Sequence, residues 1–362
     1  MLKILIRTLV AVVLCLSIAL FVALPVAESG GEHETLPPDI PTVSDPGEIV
    51  DASKAEYGYY EMSDDLAALA VQNEGRFTYT AVGESLDGRN IYAATLGNPN
   101  AEKQIVISAG IHAREYMTPL LVMKQIEYYL DNYETGEYDG VKYSEIFEKY
   151  AFCILPMCNP DGIALAQEGI DGIRDEKLRE TVISVYNSDR ASTPDFAELS
   201  LNDYLKYWKS NARGVDLNRN FDTPAWNDNL IRRPCFTDCR GEFPLSEPES
   251  RAMADYVSGL SNPVLSLAIH SRGELVYFNC GQENTFREYE LARLVSDANG
   301  YRIDHNPRNV AAFDDWCVMK KDIPSVTVET GITSCPLPIE EFEKIWNDNR
   351  DLWAAVAVKG EY

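Results

Sequence analysis

The sequence predicts an α/β domain built on a largely parallel or mixed β-sheet with helices on both faces. Three observations predict it. Largely apolar runs, namely Ile105-Val106-Ile107, Ala151 to Met157, Val264 to Ile269 and Ser325 to Val328, read as strands buried on both sides. They alternate with longer segments of helical apolar spacing, as the connections between parallel strands require. A chain of 362 residues with 45% hydrophobic content can also bury one large core.

The N-terminus carries Lys3 and Arg7, then an apolar run from Leu9 to Ala27 broken only by Ser17 and Pro25. This pattern predicts a secretory signal cleaved after Ala27, or an uncleaved anchor, over residues 1–27. Both readings place the rest of the chain outside the cytoplasm. Residues 28–55 are rich in acids, Pro and Gly, and up to about residue 50 they hold no Lys or Arg, so they read as a linker. The domain is expected over 56–360, with folded sequence beginning near Tyr57.

Met62 to Val71 has helical spacing. Phe77 to Val82 and Asn90 to Leu96 read as strands joined by the turn chemistry of Gly83 and Asp87-Gly88. Ile105 to Ser108 follows as a buried strand and Thr118 to Tyr133 as a helix. Ala151 to Met157 is closed by Asn159-Pro160-Asp161-Gly162, and residues 163–210 look irregular with helical pieces. Val264 to Ile269 and Leu275 to Phe278 are expected strands, Thr285 to Asn299 a helix, Ser325 to Val328 a strand, and Glu340 to Val358 a closing helix.

The formal charge of −25 excludes nucleic acid as a partner, because phosphate binding needs a basic surface. Cleavage after Ala27 removes Cys15 from a total of 8 cysteines and leaves an odd number, so at least one thiol stays free. Cys235 and Cys239 could bridge within a Pro-rich loop, whereas Cys153, Cys280 and Cys317 read as small buried hydrophobes.

The chemistry concentrates at strand ends. His112 and Glu115 sit three positions apart after the strand 105–108, and both are good zinc ligands, although the HxxE pattern alone is weak. His270 ends the strand 264–269 and is the candidate third ligand; the chain has only 4 histidines. Glu329 concludes the β-branched run 325–328, where a carboxylate is costly unless paired or working, and is the candidate base. Asn218 and Arg219 could grip a carboxylate, the guanidinium fork matching it with two parallel hydrogen bonds.

Together these segments resemble the zinc carboxypeptidases of the carboxypeptidase A/B type, also called funnelins. The matching runs are His112-Ala113-Arg114-Glu115, Asn159-Pro160-Asp161-Gly162, Gly214-Val215-Asp216-Leu217-Asn218-Arg219-Asn220, Ser246-Glu247-Pro248-Glu249, His270-Ser271, Asp314-Asp315-Trp316 and Val328-Glu329, with Gly83 to Arg89 resembling the family's early turn. The resemblance implies a single domain with a mixed, twisted sheet of eight strands. It implies one Zn2+ per chain on His112, Glu115 and His270, Glu329 as general base and acid, and Arg114 near the zinc. It further implies that Asn218 and Arg219 hold the substrate's terminal carboxylate. The expected activity is zinc-dependent hydrolysis of a C-terminal peptide bond by a secreted monomer.

Departures from the family pattern sharpen the reading. The usual oxyanion arginine directly follows a tryptophan; here Lys209 follows Trp208, and Arg213 is the other cation available for the role. Pro307 stands where a capping tyrosine is expected, beside His305 and Arg308. Trp208 to Gly214 and His270 to Tyr277 resemble exported bacterial members, some of which cut γ-D-glutamyl–diaminopimelate bonds of cell-wall peptides. Asp314 matches the base of the specificity pocket, where an acid in the carboxypeptidase B branch selects terminal Lys or Arg; it is also placed to be a plain helix N-terminal acid. Three functions are therefore carried forward: a carboxypeptidase, a cell-wall peptide hydrolase, and an inactive binding module on the same fold.

Overall fold

Eight strands form one mixed sheet. The computed structural model describes residues 47–278, 285–305 and 310–360, which fall in one compact unit, Pro46–Tyr362. The strands are β1 (Phe77–Glu84), β2 (Asn90–Leu96), β3 (Lys103–Ala109), β6 (Tyr150–Leu155), β7 (Pro263–His270), β8 (Leu275–Phe278), β9 (Arg302–His305) and β10 (Ser325–Glu329), lying side by side in the order β1-β2-β6-β3-β7-β10-β8-β9; β4 (Glu137–Tyr138) and β5 (Val141–Lys142) make a small separate hairpin. The predicted signal or anchor, His33, Cys15, Cys280, Pro307 and Arg308 lie outside the described residues. Among the described residues no helix is long and apolar enough to cross a membrane.

The four inner strands β6, β3, β7 and β10 run parallel to one another. They are the largely apolar runs of the sequence, and the reason is burial on both faces. Ile105, Ile107 and Ala109 of β3 enter one core with Leu265, Leu267 and Ile269 of β7, while Val106 enters the other core. The first core is closed by helices that include α1 (Tyr59–Gln72) and α2 (Met117–Asp131). The second is closed by residues of Pro248–Gly259 and Phe313–Lys321. The two-residue period of the strands thus feeds two helical layers at once.

Two quoted motifs are structural pins. Asn159 caps the helix Pro160–Glu168, its side chain accepting from the Gly162 N–H, with proline in the first turn. Asp161 then accepts from Ser85 Oγ at 2.8 Å, the Asp87 N–H at 2.8 Å and Arg89 Nη1 at 2.7 Å. The run 159–162 starts a helix, and its carboxylate holds the β1–β2 turn in place.

Packing differs from the sequence-based expectation in three places. It begins before Tyr57: Val50 is fully buried, and its N–H donates to Glu127 Oε1 at 3.3 Å. The short pair Ile49-Val50 in an acidic stretch carries no periodicity, so sequence reading puts the start of packing too late. The span 163–210 contains the 17-residue helix Glu176–Ser192, whose sparse buried positions give a weak pattern. The expected closing helix 340–358 divides into Phe342–Asn349 and Leu352–Lys359, and at the division the Asn349 carbonyl accepts from Gln125 Nε2 at 2.7 Å.

Candidate active site

Three neighbouring parallel strands deliver their C-terminal ends to one place, as open α/β sheets do at their ligand crevices. β3 runs into the loop carrying His112 and Glu115, β7 ends on His270, and β10 ends on Glu329. The loop after β3 turns on Gly110 at φ +64°, where an added Cβ would lie 2.8 Å from Pro119 Cγ; only glycine suits that turn. The backbone of this loop is held from outside as well, the Ala113 N–H donating to the Lys209 carbonyl at 3.2 Å.

His112, Glu115 and His270 are buried, and their ligand atoms all lie within 4.8 Å of one another. His112 Nδ1 is 2.9 Å from Glu115 Oε1, His270 Nδ1 is 3.1 Å from Glu115 Oε2, and the two Nδ1 atoms are 3.2 Å apart. Two imidazole nitrogens converging on one buried carboxylate is the donor set of a zinc site. Burial opposes ionisation of Glu115, but His112 and His270 hold its carboxyl well below the usual range. Of the described residues, this is the group that could hold a metal.

Asp216 stands behind the group and is missed by the sequence reading, although it lies inside a quoted motif. Its Oδ1 is 3.4 Å from His112 Nε2, longer than an ordinary hydrogen bond, and accepts from the Asn218 N–H at 3.0 Å. Its Oδ2 accepts from the Asp238 N–H at 2.9 Å. Burial works against its charge, yet His112, Arg219 and Lys209 together keep it ionised. A carboxylate behind a ligand histidine orients the ring and selects the tautomer that leaves Nδ1 for a metal.

Glu329 is partly exposed as a residue, but its Oε2 is buried and has no hydrogen-bond partner among the described residues. Burial pushes its carboxyl up to about 7, with Glu115 adding to the rise and His270 and Lys209 opposing it. It lines a cavity of about 320 Å³ together with His112, His270, Lys209, Asn218, Arg219 and Asp314. A larger cavity of about 630 Å³, near Pro263 and Phe286, contains none of these residues.

The remaining candidates divide. Asn218 Oδ1 accepts from the Phe313 N–H at 2.9 Å, which leaves the amide's NH2 as the group that can donate to a ligand. Arg219 Nη1 donates to the Asn218 carbonyl at 2.8 Å, and its Nη2 meets Asp238 Oδ1 at 2.8 Å. Asp314 accepts from Thr327 Oγ1 at 3.0 Å. Its neighbour Asp315 does the helix capping, accepting from the Val310 and Ala312 N–H groups at 2.8 and 3.1 Å; burial and Asp314 push its carboxyl up to about 7. Arg114 is half-buried with its Nε unpartnered among the described residues, and its Nη1 lies 3.5 Å from the Tyr207 carbonyl. Arg213 is not brought to the cavity: Glu247 holds it at 2.9 Å through both carboxylate oxygens. Cys235 and Cys239 are free thiols packed together against Val215, so the bridge the spacing allows is not formed.

The zinc carboxypeptidase profile matches residues 62–352. The uncharacterised protein YqgT of Bacillus subtilis is 30% identical over 287 residues, 76% of this chain and 70% of that protein. Gamma-D-glutamyl-L-diamino acid endopeptidase 1 of Lysinibacillus sphaericus is 29% identical over 284 residues, 76% of this chain and 66% of its own length. This chain therefore spans about two thirds of those relatives. In structure, thrombin activatable fibrinolysis inhibitor shares the fold with a TM-score of 0.67 at 19% identity, over 86% of this chain and 76% of the other. A profile covering most of the domain, on a fold that gathers two histidines and a glutamate at adjacent strand ends, places this chain in the zinc carboxypeptidase family.

Proposed function

We propose that this chain is an exported zinc-dependent metallocarboxypeptidase that hydrolyses the last amide bond of a peptide whose terminal residue carries an amine. The observation that carries the reading is the Glu329 carboxylate, with its buried, unpartnered Oε2, in one cavity with His112, His270, Arg219 and Asp314. His112, Glu115 and His270 would hold the zinc, which when bound supplies a Lewis acid that polarises a carbonyl and acidifies a water.

The chain's own residues supply the rest. Glu329, with a carboxyl near 7, is poised to take a proton from the attacking water and return it to the leaving amine. Lys209 lines the cavity and already lowers the pKa of Glu329, so its ammonium is the cation at hand for the oxyanion; Arg213 is committed to Glu247. Arg114, between two ligand residues in the chain, does not line this cavity and is left as a nearby positive charge. Asn218 and Arg219 orient the substrate's carboxylate, and Asp314 meets its amine.

The second reading, hydrolysis of γ-D-glutamyl–diaminopimelate bonds, is favoured by the Lysinibacillus relative named as a gamma-D-glutamyl-L-diamino acid endopeptidase. Diaminopimelate also carries an amine, so Asp314 serves both substrates. Retention of His112, Glu115, His270 and Glu329 speaks against an inactive binding module. Zinc-loaded protein is incubated with a peptide ending in Lys and with a γ-D-Glu–diaminopimelate tripeptide. Release of lysine supports the carboxypeptidase; cleavage of the tripeptide alone selects the second reading; neither overturns both.

A further inference from the structure

Arg219 is not waiting alone for a substrate carboxylate. Its Nη2 is 2.8 Å from Asp238 Oδ1, and its Nη1 donates to the Asn218 carbonyl, so part of the five-donor fork is already used. Asp238 is held through both its backbone and its side chain. Its N–H donates to Asp216 Oδ2 at 2.9 Å, its carbonyl accepts from Asn229 Nδ2 at 2.9 Å, and its second carboxylate oxygen accepts from Thr237 Oγ1 at 3.2 Å. It also sits at φ +61°, a left-handed conformation that only a few residue types adopt readily. The loop therefore holds this carboxylate against Arg219.

We propose that Asp238 is an internal rival for Arg219 and sets how strongly the site demands a free carboxylate on the leaving residue. The inference rests on the reading of Arg219 as the carboxylate-holding group. An ionised Asp238 offsets the charge of Arg219 and repels a second carboxylate arriving at the same guanidinium. At a separation of a few ångströms and the intermediate dielectric of a half-buried site, that repulsion weakens binding by about tenfold. A leaving residue whose carboxyl is amidated, or continues into more chain, meets no such repulsion. The site then accepts peptides with blocked or extended termini alongside free acids, discriminating between them less than an unopposed arginine would. Asp238 is a specificity residue acting through Arg219, and Asp216 ties its backbone to the support of His112.

Asp238→Asn tests this, because asparagine tolerates the left-handed backbone and keeps both main-chain hydrogen bonds. The zinc-loaded full chain is assayed on paired peptides that differ only in a terminal carboxylate or carboxamide, with kcat and KM measured separately. Asp238→Asn is expected to lower KM for the free acid by about tenfold, with kcat and the carboxamide substrate changed by less than about twofold. Asp238→Gly, equally suited to this φ, gives the same shift, and adding Arg219→Gln to Asp238→Asn removes it. An unchanged or raised KM for the acid in either folded Asp238 variant overturns the proposal while the peptidase reading stands. If the wild-type protein hydrolyses neither peptide, the reading of the site falls first and the proposal falls with it.

Discussion

Glu329 and His270 are direct register partners at the ends of two neighbouring parallel strands. The candidate base and a candidate ligand are thus set side by side by a backbone ladder, which holds them more firmly than loops would. His112 and Glu115 come from the next strand over, through a loop pinned by Lys209 and Gly110. Sheet topology sets His270 and Glu329 directly, and brings the loop with His112 and Glu115 to the same end of the sheet.

The two candidate oxyanion cations make opposite predictions. Lys209→Met is expected to lower kcat by about 10²-fold with KM changed only a few-fold, as loss of an electrostatic donor does. Arg213→Gln should leave kcat within about twofold but lower Tm, because Glu247 is buried and loses its bidentate partner. Steady-state kinetics and thermal melts of both variants separate the roles.

Metal removal should be felt by the fold as well as the activity. The Glu115 carboxylate and two ring nitrogens lie within 3.2 Å of one another, a buried donor set that exists only in the folded chain. A ligand that binds only the folded state at 100 times its Kd stabilises it by about 2.7 kcal/mol. Chelation is expected to abolish hydrolysis and lower Tm by several degrees, and one equivalent of zinc should restore both. A melt insensitive to chelator and zinc would contradict the assignment.

Glu249 makes stability depend on pH. Burial, then the charges of Asp161 and Glu247, push its carboxyl up to about 8, and its Oε1 has no partner among the described residues. The folded chain then keeps a proton that the unfolded chain, with an ordinary carboxyl near 4.5, has released. Stability from this group is full below the unfolded value and declines as pH rises toward 8. Between pH 6 and 9 the wild-type Tm should fall, and Glu249→Gln, which mimics the protonated acid, should flatten that slope. Melts across this range check it.

Asp314 should govern the terminal residue preferred. Asp314→Asn can keep the contact with Thr327 but loses the charge. Its ratio of kcat/KM for Lys-ended over Leu-ended peptides is expected to drop by at least about tenfold. An unchanged ratio would leave Asp314 as a helix-terminal acid only.

The inner sheet and the His112, Glu115, His270 and Glu329 group were legible because strands buried on both faces are continuously apolar and their ends are marked by residues too costly to bury idly. The helix 176–192 was not, since it buries few of its 17 residues. Asp216 was hidden for another reason: its partners, His112 and Asp238, lie far off or in a loop with no pattern of its own. Spacing brought Cys235 and Cys239 close but could not decide whether they bridge. Lys209 and Arg213 looked equivalent until Glu247, a distant residue, claimed one of them.

In the proposed function Glu329 moves the proton at a zinc held by His112, Glu115 and His270. The most direct test is turnover by the Glu329→Gln variant, measured beside its zinc content. Glutamine keeps the shape and loses the base, so the account predicts one zinc per chain, as in the wild-type protein, with kcat lowered by about 10³-fold. A fully zinc-loaded Glu329→Gln that turns over at the wild-type rate would contradict it.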